Sequence, residues 1–147
     1  RYENAFAAVP LLVSFIPMLM DTGGNGGSQS STLIIRGLAL DEIKFKDIFR
    51  VIFKEFRIAL LVGIGLAIAN GIRIFIMYKD LKMAIVIALS LSLIVIIAKI
   101  IGCTLPLFAK KLHMDPAIMA SPLITTVVDT CSIMIYFSIA TRVFTLS

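Results

Sequence analysis

The feature that most narrows the fold is a carboxylate set deep in an apolar run. From Ile118 to Val143 the sequence is almost wholly apolar and long enough to cross a bilayer as one helix, with Asp129 inside it. Asp129 lies roughly ten residues in, about 15 Å along the axis at about 1.5 Å per residue, near a bilayer midplane. A carboxylate at that depth costs about 2.5–3.5 kcal/mol on insertion scales, so such groups face a water-filled path or a partner inside a bundle. A single lipid-bathed helix is excluded.

The neighbours of Asp129 extend the polarity. Steps of three and four residues reach Thr125, Thr126, Ser132 and Tyr136, with Ser121 and Pro122 a turn further back, so the spacing predicts one polar stripe. Pro122 has no N–H to donate and is expected to free the carbonyl of Ile118 beside that stripe. Oxygen donors without thiolate or imidazole suit hard cations such as magnesium or calcium. Two readings stand side by side: an ion path past Asp129, or a protonated or Lys-paired Asp129 that only joins helices.

Composition fits a membrane bundle. Hydrophobic residues make up 59% of the 147 and charged residues 16%, whereas soluble domains carry about 25% charged residues. The net charge of +5 does not point to nucleic acid, because the basic residues fall mainly between apolar runs, the pattern of membrane topology. Cys103 and Cys131 lie in apolar runs without metal-type spacing and read as small packing residues. His113 stands alone in a basic loop and reads as solvated. The sequence starts at Arg1 and has no signal-peptide layout, as expected of a fragment or a processed form. With no nucleophile–base pair in view, an enzyme is the weakest class.

Taken in order, the chain is expected to be an all-α integral membrane bundle of about four transmembrane helices and one interfacial amphipathic helix. The first helix is placed at 5–40 and interrupted by the Gly-rich polar stretch 21–32, which reads as close-packed or irregular backbone offering carbonyls to an ion, or else as a solvent loop. The stretch is not a P-loop, since no Gly-Lys-Ser/Thr follows. Residues 41–57 alternate Ile and Phe with Lys and Arg at helical spacing and read as a basic helix lying on anionic lipid. Helices at 58–78 and 83–108 follow, and the last is placed at 117–145 with Pro116 in its first turn. Lys99 lies about ten residues from its helix end, which favours snorkelling to the interface over pairing with a carboxylate. Lys and Arg cluster between Arg36 and Arg57 and at Lys110-Lys111, so 41–57 and 109–116 are expected to be cytoplasmic.

Two separated motifs carry a family resemblance. Phe15-Ile16-Pro17-Met18-Leu19-Met20-Asp21-Thr22-Gly23-Gly24-Asn25-Gly26-Gly27-Ser28-Gln29-Ser30, then Leu33-Ile34-Ile35-Arg36-Gly37, resembles the second membrane helix of MgtE magnesium channels. Asp115-Pro116-Ala117, Ser121-Pro122-Leu123, Asp129 and Ile135-Tyr136-Phe137-Ser138 resemble that family's last loop and helix, with order and spacing agreeing over nearly the whole chain. The resemblance implies a homodimer in the plasma membrane, with an ion path between protomers. It implies that Asp129 attracts a largely hydrated Mg²⁺, that oxygens near Ser121, Thr125, Gly24, Ser28 and Asn25 assist, and that Pro122, Ser132 and Gly23 line the pore. Family members commonly carry five membrane helices and a soluble region with CBS domains; this sequence reads as four helices without that region. The family often has an amide where Ser28 stands and a small apolar residue where Thr125 stands. The competing readings are transport of Mn²⁺, Co²⁺ or Ca²⁺, and a non-conducting sensor or scaffold subunit.

Overall fold

The computed structural model describes Pro10, residues 13–119 and residues 121–145. Among these residues the chain is all helical: α1 (Ile16–Ala39), α2 (Ile48–Tyr78), α3 (Leu81–Lys111) and α4 (Ser121–Thr145), with short 3-10 turns at Phe45–Asp47 and Pro116–Met119. The expected start of the first helix at Ala5 lies outside the described residues. Helices α2, α3 and the Pro122–Val143 part of α4 are long and apolar enough to cross a membrane. Helix α1, at 24 residues, is about 36 Å long, but its polar middle sets it apart from the other three.

Local chemistry makes the α2–α3 hairpin tight. Lys79 adopts a left-handed conformation (φ 52°), and its N–H closes on the Phe75 carbonyl at 2.8 Å. Asp80 then caps α3, its carboxylate accepting from the backbone N–H groups of Lys82 at 3.0 Å and Met83 at 3.3 Å. A two-residue link leaves the helices antiparallel and adjacent.

Helix α3 is the hub, packing against α1, α2 and α4, while α1 also packs on α4. At one end Leu19, Ile74, Met83, Ile87 and Tyr136 join in a buried cluster, and at the other Ile34 and Leu38 meet Cys103 and Leu107. Half of the apolar window of α3 is buried inside the protomer, against 11% for α2. Leu61, Ile64, Ile68, Ile72 and Ile76 of α2 therefore face outward, an apolar face suited to lipid.

Three expectations about the elements change. Of the readings of the Gly-rich stretch, close-packed backbone holds, and irregular backbone or a loop does not: α1 runs through it, and none of the described glycines has a positive φ. Here the glycines serve close approach between helices. A Cβ on Gly102 of α3 would overlap the Gly27 carbonyl oxygen, and one on Gly27 would sit 3.2 Å from the Ala98 carbonyl oxygen, so the two backbones touch directly. The basic segment 41–57 and the span 58–78 are not two helices, because α2 runs unbroken from Ile48. No Gly or Pro interrupts its first four turns, and Ile48, Val51 and Ile52 pack on the Ile34–Leu107 cluster. At 31 residues α2 is about 46 Å long, more than the hydrocarbon core of about 30 Å, so its basic first turns extend past that core. Helix α4 begins at Ser121 and not at 117, which places Pro122 in the first turn, where a missing N–H costs no ladder bond.

Lys99 meets a carboxylate. It is 8% exposed, and its Nζ lies 4.0 Å from Oε2 of Glu55, which is 7% exposed. Glu55 belongs to the segment read as a surface helix, which is why its sequence position hid it as a partner. Cys103 is buried and Cys131 partly buried, both as free thiols, and His113 is exposed.

Candidate ion site between the glycine-rich helix and the last helix

Helix α4 resolves its polar stripe into separate ridges. Ile124, Val128, Ser132, Tyr136 and Ala140, spaced by four, are all buried. The next ridge round, Thr125 and Asp129, is partly buried. The ridge beyond it, Pro122, Thr126 and Thr130, is exposed, and its hydroxyls turn back on the helix: Thr126 Oγ1 donates to the Pro122 carbonyl at 2.9 Å and Thr130 Oγ1 to the Thr126 carbonyl at 3.1 Å. Only the middle ridge faces open polar space.

Helix α1 lies antiparallel against this face. A Cβ on Gly27 would meet Ile124 Cγ2 at 2.9 Å, one on Gly24 would meet Thr125 Cγ2 at 3.4 Å, and one on Gly23 would meet Ser132 Oγ at 3.1 Å. The side chains of α1 that escape this contact point alongside it. Together they make an open cleft of about 310 Å³ lined by Met20, Asp21, Gly24, Asn25, Ser28, Thr125 and Asp129. Asn25 Nδ2 donates to Asp21 Oδ2 at 3.4 Å, which holds the amide carbonyl and the carboxylate on one face. Among the described residues neither Asp21 nor Asp129 has a Lys, Arg or His nitrogen within 4.0 Å.

The cleft thus brings together five sequence-predicted residues: Gly24, Asn25, Ser28, Thr125 and Asp129. It leaves out others. Gly23 sits in the α1–α3–α4 contact, and Ser132 is 2% exposed with its Oγ lacking a hydrogen-bond partner. Pro122 is on the exposed ridge and does not line the cleft, and Ser121 is the first residue of α4. The cleft also adds Asp21, which sequence reasoning took only as the start of a polar stretch. The signal that finds it is helical spacing: Asp21, Gly24, Asn25 and Ser28 step by three and four along one face.

Every side-chain donor to a cation in this cleft, apart from the Met20 thioether, is an oxygen: two carboxylates, an amide and two hydroxyls. No group of three or more His, Cys, Asp or Glu forms a closed metal cage among the described residues. Sparse oxygen ligands in an open cleft suit an ion that keeps much of its water. The model for MgtE, described as a divalent cation transporter, matches residues 16–139, which include both walls of the cleft.

The chain belongs to the MgtE family. It is 40% identical over 140 residues to the magnesium transporter MgtE of Bacillus subtilis, a match covering 95% of this chain. The magnesium transporter MgtE of Thermus thermophilus is 37% identical over 139 residues, and that of Enterococcus faecalis 31% over 140. The match covers 31% of each relative, so the chain spans about a third of the length of these proteins. Family membership and the three apolar helices together make this a multi-pass membrane protein of the MgtE type.

Proposed function

We propose that this chain is the ion-conducting membrane part of a magnesium transporter, and that it passes largely hydrated Mg²⁺ down its electrochemical gradient. The observation that carries this reading is the α1–α4 cleft, where oxygens from both ends of the sequence surround space at the depth of Asp129. Asp129 recruits the cation, while the Ser28 and Thr125 hydroxyls and the Asn25 amide oxygen contact its water shell. Mg²⁺ sheds water reluctantly, so a spacious ring of oxygens suits it better than a tight cage. An inside-negative potential supplies about 2.3 kcal/mol per charge per 100 mV, roughly twice that for a divalent ion, so no covalent chemistry is needed.

One protomer offers half a path. A carboxylate-lined face open on its side is untenable against lipid, and a second copy closing it would place two Asp129 side chains around one pore. The helix order supports the proposed orientation in the plasma membrane. Because α1 to α4 alternate in direction, the turn after α1 and the loop after α3 lie at one end, with Lys44, Lys46, Arg50, Lys54, Lys110 and Lys111. That end is cytoplasmic by the excess of positive charge.

The test is Mg²⁺ uptake in a bacterial strain lacking its own magnesium transporters. Asp129→Ala is expected to abolish uptake while still inserting and dimerising, and uptake equal to wild type overturns the mechanism. An oxygen-only donor set also admits Mn²⁺, Co²⁺ or Ca²⁺, and competition of each against Mg²⁺ in the same assay ranks them.

A further inference from the structure

Glu55 is a buried charge that the ion path does not use. Ser30 Oγ of α1 donates to Glu55 Oε2 of α2 at 2.7 Å, and Lys99 Nζ of α3 approaches the same oxygen at 4.0 Å. Ser30 is 1% exposed, and Glu55 and Lys99 are under a tenth exposed. Three helices thus meet at one carboxylate oxygen. Burying such a pair costs about as much in desolvation as it returns, so stability alone is a weak reason to keep it. The best-attested use of buried charge is to specify one arrangement of helices over its neighbours.

The glycine-rich helix needs such a device. Leu19, Ile34 and Leu38 pack near its two ends, but at the crossing Gly27 lies on the backbone of Gly102 and Ala98, a smooth contact to which a polar tie adds a fixed direction. Ser28 and Ser30 are two residues apart, about 200° round the helix. Ser28 therefore faces the cleft while Ser30 faces Glu55. A rotation of α1 by about 10° moves an oxygen about 5–6 Å from its axis by about 1 Å, enough to misplace ligands around a hydrated ion.

We propose that Glu55 is a positioning residue: through Ser30 and Lys99 it sets the rotation of the glycine-rich helix and so the places of Asn25 and Ser28 in the cleft. This rests on the reading of the α1–α4 cleft as the ion path. Two variants of the whole chain test it. Glu55→Gln/Lys99→Met removes both charges at nearly constant volume, and is expected to assemble as wild type and keep its maximal flux per inserted protein. Its half-saturating Mg²⁺ concentration is expected to rise about five- to tenfold. Ser30→Ala, which keeps both charges, is expected to shift half-saturation the same way by about two- to threefold, and carries the test should the double variant fail to insert. A purely structural role lowers flux in proportion to inserted protein and leaves half-saturation where it was. Wild-type half-saturation in Ser30→Ala, or in an inserted double variant, overturns the proposal. The underlying reading fails separately, when the wild-type chain takes up no Mg²⁺ or Asp129→Ala matches it.

Discussion

Glu55 and Asp129 are both carboxylates on helices long enough to span a membrane, and their surroundings could hardly differ more. Glu55 is 7% exposed, at the wall of a cavity shared with Arg36, Arg50 and Lys54, and holds a serine hydroxyl from α1 and an ammonium from α3 against one oxygen. Asp129 opens on a polar cleft shared with Asp21, Asn25, Ser28 and Thr125. An acid whose charge is met by the fold contributes to the arrangement of helices. An acid whose charge the fold leaves unmet is available to a mobile cation. On the proposed reading the same side-chain chemistry serves architecture on one helix and transport on another, and what divides them is whether the fold itself supplies partners for the charge.

That division is open to attack by mutation. The largest effect is expected at the paired site: Glu55→Ala strands buried Lys99 and should cost about 3–5 kcal/mol, read as a lower thermal unfolding midpoint in detergent. Asp129→Ala in the same assay should leave the midpoint near wild type, and equal losses at both sites would erase the distinction. Next in size is Gly102→Ala, whose Cβ has no room against the Gly27 carbonyl oxygen and should cost about 1–3 kcal/mol by overpacking. An unchanged midpoint for that variant would mean that α1 and α3 separate easily, removing the reason for a polar tie between them. The smallest effect belongs to Asp21→Asn. An exposed carboxylate in high dielectric should alter the half-saturating Mg²⁺ concentration by about two- to fivefold without abolishing uptake. Complete loss would raise Asp21 to the rank of Asp129.

Much of this arrangement was legible before any coordinates. Apolar runs interrupted by basic turns announced the bundle, and a lone carboxylate in the last run announced one wall of the cleft. The pairing of that helix with Gly24, Asn25 and Ser28 came from two motifs at a familiar separation, since no local pattern links positions a hundred residues apart. What stayed hidden has particular causes. The stripe on α4 spans three ridges about 90–100° apart, and periodicity cannot say which ridge an antiparallel neighbour covers; Ser132 went inward and Thr126 outward. Residues 41–57 look amphipathic because α2 meets the Ile34–Leu107 cluster on one side and open surroundings on the other. The same pattern arises when a helix lies flat on lipid.

The sequence by itself determined that the chain must be helical, must sit in a membrane and must shelter a carboxylate from lipid, because the transfer cost of polar groups into hydrocarbon is a property of composition and spacing. Only the tertiary structure decided which acid is paired within the protein and which opens on a cleft without a basic partner. That outcome depends on how α1 is rotated against α3 and α4, where glycine meets glycine and the sequence carries no side chain to record the angle.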